Sequence, residues 1–435
     1  MTKGKGKRCF RKVAAVAGVL CIFIGTVGIL FASAQNLRVT KWLSSPEEIG
    51  FYQEEAKIFE KLHPGVKVEM DLVTTGYDEK VIASTAGGAP PDCMYLHAMG
   101  HTPSWSEKGI IMPLDEYIDG PKGIDVDDLF AAAWTGSTWK GKRYGWVKEL
   151  GSQMLFFNKD HFDEVGASYP DETWHWADLR DAAKKLTTKV GNRMVRFGYA
   201  ADEINRTFIS HVWQLGGRLF NEDYTEPVFP SPESIEAATF QTNLCKEYGI
   251  APAGAGAGGE VGSRKAFQIA QAAMTIDGAW MAMAFGSTED LNYGVAVMPH
   301  EKVRAIWADQ CYWAVSPYSK NKDLAWEWVK FQSSIESILR NYSFFSSAGQ
   351  SPTGKAPTWK SLVEDPDWKP LNQEQAVSAK ELPYTRQELT FWNSGTFFWD
   401  HLKPKLEELI YTDKPVKQGL EELRVDTIKL LAESH

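Results

Sequence analysis

The spacing of apolar residues switches repeatedly between residues 39 and 96. V-T-K-W-L reads as a strand. P-E-E-I-G-F-Y-Q-E-E-A-K-I-F-E-K-L-H carries apolar residues at helical spacing. P-G-V-K-V-E-M-D-L-V is strand-like again, Y-D-E-K-V-I-A-S-T-A-G-G is a polar helical run, and A-P-P-D-C-M-Y-L ends in a third strand. Strands separated by helical patterns predict βαβ units on a parallel sheet. Ligands of such sheets sit at the carboxyl ends of the strands. Two of the three strand ends carry polar or aromatic groups, namely Trp42 with Ser44 and Ser45, and His97. The stretch reads as half of a binding cleft.

The rest of the chain alternates in the same manner. A turn is expected at Gly109, and another at Gly141-Lys142 between two strand-like pieces. M-L-F-F-N-K-D-H-F predicts a strand running into a capped helix. The next helix has an N-cap at Asp171 or Thr173 and apolar Trp176, Leu179, Ala183 and Leu186 at surface-helix spacing. F-I-S-H-V-W-Q-L-G-G predicts a helix closed by Gly216-Gly217, and Ser231 starts a longer one. A-A-M-T-I-D-G-A-W, N-Y-G-V-A-V-M-P and C-Y-W-A-V-S-P read as strands. A helix with Leu324, Ala325, Trp328 and Val329 follows, and the tail ends in an amphipathic stretch with Leu420, Leu423, Ile428 and Leu431. In A-P-A-G-A-G-A-G-G-E-V-G, Gly254, Gly256 and Gly259 fit G-x-G-x-x-G formally. A helix precedes them where a nucleotide fingerprint needs a strand, so the segment reads as a loop beside a cleft.

Length and composition narrow the class. A chain of 435 residues exceeds one typical core, which predicts two domains. Lys3, Lys5, Lys7, Arg8, Arg11 and Lys12 precede an uncharged apolar run and Ala32-Ser33-Ala34, the pattern of a cleaved export signal over 1–34. Leu20 before Cys21 does not suit a lipidation site, and the expected cleavage is before Gln35. An uncleaved membrane anchor is the alternative. Removing the six bases takes the net charge from −9 to −15. So acidic a protein is a poor partner for nucleic acid or anionic membrane. Cys93, Cys245 and Cys311 remain, an odd and widely spaced set that favours buried thiols over a disulfide framework.

The sequence contains no G-x-S-x-G, H-E-x-x-H or P-loop lysine motif. His97 and His101 are four apart, but no third ligand accompanies them and Pro103 points to a loop, so neither a metal nor another cofactor is expected. What remains is a set of aromatic and polar residues near strand ends: Trp42, His97, Trp146, Glu149, Trp213, Trp280, Asp309 and Trp392. Aromatic rings cover the apolar faces of a sugar while carboxylates take its hydroxyls. Each Trp has core packing as its plain alternative. The 17 tryptophans also suit a secreted glycosidase or lyase, which would need two carboxylates at catalytic separation.

Six blocks in order then resemble one family. They are A-P-P-D-C-M-Y-L, G-K-R-Y-G-W-V with L-F-F-N-K-D-H-F, E-T-W-H-W-A-D-L-R-D-A-A-K-K-L, A-A-M-T-I-D-G-A-W, N-Y-G-V-A-V-M-P, and N-K-D-L-A-W-E-W-V-K-F. They resemble the extracellular solute-binding proteins of sugar-importing ABC transporters, the maltose-binding-like group. Ile269-Ala270-Gln271 and Asp309-Gln310-Cys311-Tyr312 depart from the family pattern, which leaves the sugar open. The resemblance implies an α/β fold of two lobes joined by a hinge, a Venus flytrap with mixed, mostly parallel sheets. Lobe one would take 37–148 and 303–347, and lobe two 149–302 and 348–435. Trp42, His97 and Asp309 would face the cleft from lobe one, and Trp213, Trp280 and Trp392 from lobe two. Trp146 and Glu149 would sit at the first crossing, and Asp92 would be structural. The implied protein is a periplasmic or secreted monomer, not an enzyme. It would bind a mono- or oligosaccharide and hand it to permease subunits in the inner membrane. A non-sugar solute on the same fold, and a sensory role, remain open.

Overall fold

Nine strands form one sheet among the described residues of this computed structural model: 35–43, 46, 48–121, 123–191, 193–201, 204–251, 262–348, 354–386 and 389–433. The expected export signal, Ser44, Ser45 and most of the glycine-rich segment lie outside the described residues. The first strands are β1 (Gln35–Trp42), β2 (Val66–Val73) and β3 (Cys93–His97), with α1 (Glu48–Leu62) and α2 (Tyr77–Ala86) between them. β1 lies in the middle, parallel to both neighbours, as the period changes predict. Asp92 accepts the Arg38 backbone N–H at 2.8 Å and the Ser319 hydroxyl at 2.5 Å, so its carboxylate fastens the start of β3.

After α3 (Ala98–Glu107), the tight turn Lys140-Gly141 has positive φ at both residues and joins two short strands. The long strand β4 (Trp146–Asn158) follows, then α4 (Trp176–Leu186), β5 (Ala200–Ala201), α5 (Ile204–Gln214), α6 (Pro232–Lys246), β6 (Met274–Gly278) and β7 (Tyr293–Ala296). A second long strand, β8 (Ile306–Val315), returns, and α7 (Lys322–Gln332), α8 (Ile335–Ser347), β9 (Thr385–Arg386) and the terminal α9 (Val416–Ala432) complete the elements used below. The sheet order is β2-β1-β3-β8-β4-β6-β5, with β7 on β4 and β9 on β8. β4 and β8 pair antiparallel at the midline, and each runs from one half of the sheet into the other.

Apolar burial divides along those strands. One core joins β1–β3 to α1, α3 and α7 and holds Trp105, Trp146, Trp313, Trp326 and Trp328. In the other half, Trp213 of α5 and Trp307 of β8 pack with α6 and α9, and a further core lies against the far end of β4. Cys93 and Cys311 are buried thiols.

Three local expectations change. His97 and His101 are not in a loop: His97 caps α3 and His101 lies within it, although Pro103 is inside the helix. Proline cannot donate to the carbonyl four residues back. The Met99 carbonyl takes the Ser394 hydroxyl instead. The helix α4 starts at Trp176 because the Asp171 carboxylate is taken by the Thr173 N–H (2.8 Å) and hydroxyl (2.6 Å), while Asp178 accepts the His175 N–H. In α9 the buried stripe is Leu420, Leu423, Thr427 and Leu430, and Ile428 faces outward.

One buried group has a consequence for pH. His211 on α5 is buried against Trp176 and Phe240, and neither ring nitrogen has a hydrogen-bond partner among the described residues. Burial pulls its pKa down to about 3. The unfolded chain, near 6.5, binds this proton first, so stability falls as pH drops below 6.5. The linked loss is about 2 kcal/mol at pH 5. Urea unfolding at pH 7 and pH 5 should show His211→Leu losing less stability than wild type by about that amount; equal losses would remove His211 as the cause.

Candidate functional site

The two halves of the sheet face each other across a cavity of about 400 Å³. From the first half, Trp42 and His97 line it at the ends of β1 and β3, with Tyr77, Tyr95, Asp78 and His101 beside them. From the second half come Arg206, Arg264, Trp280 and Trp399. Asp309 and Cys311 on β8, with Lys355, complete the lining.

Trp42 is held by packing on its protein side. Its ring lies 4.4 Å from Tyr95 and 5.3 Å from Tyr77, with His101 edge-on at 5.9 Å. The Tyr77 hydroxyl accepts the Tyr95 N–H and donates to the Tyr95 carbonyl, so it serves the strand and not the cavity. Beneath Trp42, the buried Lys41 ammonium bonds the Trp42 carbonyl at 2.7 Å and Glu48 at 2.9 Å, and lies over the Tyr52 and Tyr95 rings. His101 Nδ1 accepts the His97 backbone N–H at 3.0 Å, so Nε2 carries the proton and faces both Asp78 oxygens at 3.1 Å. Burial pushes the Asp78 carboxyl up, but the His101 hydrogen bond and the nearby cations outweigh it and the net shift is downward.

Asp309 is the electrostatic centre. Its Oδ1 is 3.2 Å from Arg206 Nε and 3.4 Å from His97 Nε2. Burial opposes its ionisation, yet the charges of Arg206, His97 and Lys355 hold it well below the usual carboxylate range. It is therefore an ionised, oriented acceptor that joins a histidine of one half to an arginine of the other. Arg264 forms a two-pronged bond to the buried Asp277 at 2.6 and 2.9 Å, on the strand that delivers Trp280. The glycine of G-A-W has a steric reason: a Cβ on Gly278 would lie 2.1 Å from the Trp280 ring, and one on Gly151 would lie 3.1 Å from it. Two bare backbone positions thus seat the indole.

Of the residues singled out from sequence, Trp42, His97, Trp280 and Asp309 share this cavity. Trp146 does not reach it; it is 1% exposed and packs on Trp326 in the first core. A bulge in the β4–β8 pairing falls just after it, so alternation read along the sequence does not carry across. Trp213 is also buried, stacked on Trp307 at 5.9 Å with Arg386 over its ring. Trp392 is half-buried and does not line the cavity. The Glu149 backbone pairs with Cys311, while its side chain lies outside the described set. Sequence reasoning missed Tyr77, Asp78 and Tyr95 on the first wall, and Arg206, Arg264, Lys355 and Trp399. Arg206 left a signal, as the one Asp, Glu, Lys or Arg residue in the helical run I-N-R-T-F-I-S-H-V-W-Q. Trp399 lies on a π-helical turn, Phe397–Leu402, whose phase no regular period supplies.

Residues 44–337 match the family of bacterial extracellular solute-binding proteins. A binding protein of Brucella abortus is 24% identical over 309 residues, covering 69% of this chain and 72% of that protein. The galactooligosaccharide-binding protein of Bacillus subtilis is 28% identical over 253 residues, or 56% of each chain. An ABC substrate-binding protein of Listeria monocytogenes, solved with cycloalternan, superposes with a TM-score of 0.77 at 26% identity, covering 92% of this chain and 99% of that one. The sugar-binding protein of Xanthomonas citri gives a TM-score of 0.76 at 19% identity, with 92% and 98% covered. With its two α/β lobes around one cleft, this chain belongs to the bacterial extracellular solute-binding proteins.

Proposed function

We propose that this protein is the sugar-capturing component of an ABC importer. It binds a mono- or oligosaccharide between its lobes and delivers it to a membrane permease. The observation that carries this reading is the pairing of indoles on opposing walls, Trp42 against Trp280 and Trp399, with an ionised Asp309 between them. Flat apolar walls and a fixed acceptor suit a sugar's C–H faces and hydroxyl edge. The binding of galactooligosaccharide, arabinooligosaccharide and cycloalternan by the relatives points the same way.

The two lobes comprise roughly 37–148 with 303–347, and 149–302 with 348–435. The crossing strands β4 and β8 serve as the hinge. Ligand closes the lobes by binding the closed form better than the open one. The protein acts outside the cytoplasm as a monomer after the basic and apolar leader is removed before Gln35. The cleft carboxylates favour binding over hydrolysis. A glycosidase needs one acid with a raised pKa. The two described carboxylates that line the cavity, Asp78 and Asp309, are both shifted downward.

Isothermal titration against neutral mono-, di- and trisaccharides is the test. Heat from at least one is expected; silence across the panel with heat from an amino acid or polyamine would overturn the reading. Trp42→Ala should weaken binding of the responding sugar by about 30-fold, the loss of roughly 2 kcal/mol of buried ring face. Its thermal unfolding should stay cooperative. Collapse of the fold in place of weaker binding would make Trp42 a core residue.

A further inference from the structure

We propose that Arg206 is a positioning residue that sets specificity: it orders Trp280 and Trp399 into one platform and, with Asp309, presents a donor–acceptor pair to adjacent hydroxyls of one sugar ring. This rests on the saccharide reading for its ligand half and on geometry alone for its positioning half.

The guanidinium carbon lies 5.5 Å from the Trp280 ring centre, 5.3 Å from Phe398 and 5.2 Å from Trp399. These rings come from distant parts of the chain, the turn after β6 and the π-helical turn. Trp399 is 44% exposed, so burial does little to fix its ring. Its aromatic neighbour Phe398 meets it edge-on at 4.9 Å. A planar, delocalised cation can lie against several rings at once, whereas an ammonium is a compact point charge. The same helix turn anchors the backbone of that segment: Asn205 donates its amide to the Phe398 carbonyl at 3.3 Å and accepts the Arg206 N–H at 3.1 Å.

The other edge of the guanidinium meets Asp309 at 3.2 Å. Asp309 is also faced by His97 from β3 and by Lys355, which keep its oxygens ionised and acceptor-only. An arginine can only donate and an ionised aspartate can only accept. Side by side at the edge of an aromatic platform, they match two neighbouring hydroxyls, one accepting and one donating. A site built this way rejects an analogue that lacks either hydroxyl.

The positioning half is tested without ligand by ¹⁹F NMR of protein labelled with 5-fluorotryptophan, with resonances assigned by W42F, W280F and W399F. Arg206→Lys should move or broaden the Trp280 and Trp399 resonances and leave that of Trp42 in place. Unchanged Trp280 and Trp399 resonances in a folded Arg206→Lys protein would overturn it. If Arg206→Lys does not fold, Arg206→Gln takes its place under the same criterion. The ligand half uses the responding sugar of the titration panel and its monodeoxy analogues. Wild type should discriminate against two adjacent deoxy positions by about tenfold or more, and Arg206→Lys should reduce that discrimination. Equal discrimination in both proteins would overturn the specificity role. Silence of wild type on the whole panel would overturn the ligand half together with the saccharide reading, and the NMR result would still decide the positioning half.

Discussion

Asp309→Ala is expected to lower affinity for the sugar by about 100-fold or more, a loss of roughly 3–5 kcal/mol. Two effects add. The ligand loses an ionised acceptor inside a low-dielectric cleft, and Arg206 loses the carboxylate at 3.2 Å that balances its buried charge. Asp309→Asn separates them. It keeps the shape and one acceptor oxygen but removes the charge, so it should fall between wild type and the alanine variant. Acid should have little effect on the charge of Asp309 itself. A carboxyl held below its ordinary range stays ionised above its folded pKa and loses its charge only as pH falls through that value. Titration of both variants at neutral pH checks the first expectation. An Asp309→Ala protein that binds within about threefold of wild type would show that Asp309 balances Arg206 without touching the sugar.

The opening βαβ unit was legible because its signals are local. Alternation in β1, helical spacing in α1 and the short run ending at Leu96 each lie within one element. The lobe-one face of the cleft followed, since Trp42 and His97 stand at strand ends, where parallel sheets place ligands. The lobe-two face was less readable. Trp280 follows its own strand directly, and Gly278 marks the place where an indole must lie flat on backbone. Trp399 depends on a π-helical turn, and Arg206 depends on three rings from two distant segments. No single stretch of sequence carries either fact. Trp146 and Trp213 show the opposite limit: a tryptophan near the end of a strand or a helix looks the same in sequence whether it faces ligand or core, and only packing against Trp326 and Trp307 separates the cases.

The same dependence on distant segments makes Glu55 the most sensitive point for stability among the groups discussed. Glu55 on α1 is 1% exposed and lines no part of the cavity. Its carboxylate accepts Arg340 Nε at 2.6 Å and a second Arg340 nitrogen at 3.1 Å, the Ser337 hydroxyl at 2.7 Å, and the Gln332 amide at 3.1 Å. One buried charge thus joins the first helix of the lobe to α7 and α8, nearly three hundred residues later. Removing one partner of such a network leaves the others buried without it, which costs about 3–5 kcal/mol. Glu55→Ala should therefore lower the melting temperature by roughly 10 °C, taking 2–4 °C per kcal/mol for lobes of this size. Glu55→Gln should lose less, because it keeps the shape, and because the Arg340 side chain is 30% exposed and can take water. Scanning calorimetry measures both. Affinity at 25 °C should stay close to wild type in each, since the folded cleft has lost none of its lining. A Glu55→Ala protein that melts at the wild-type temperature would mean that the returning helices are held by apolar packing alone.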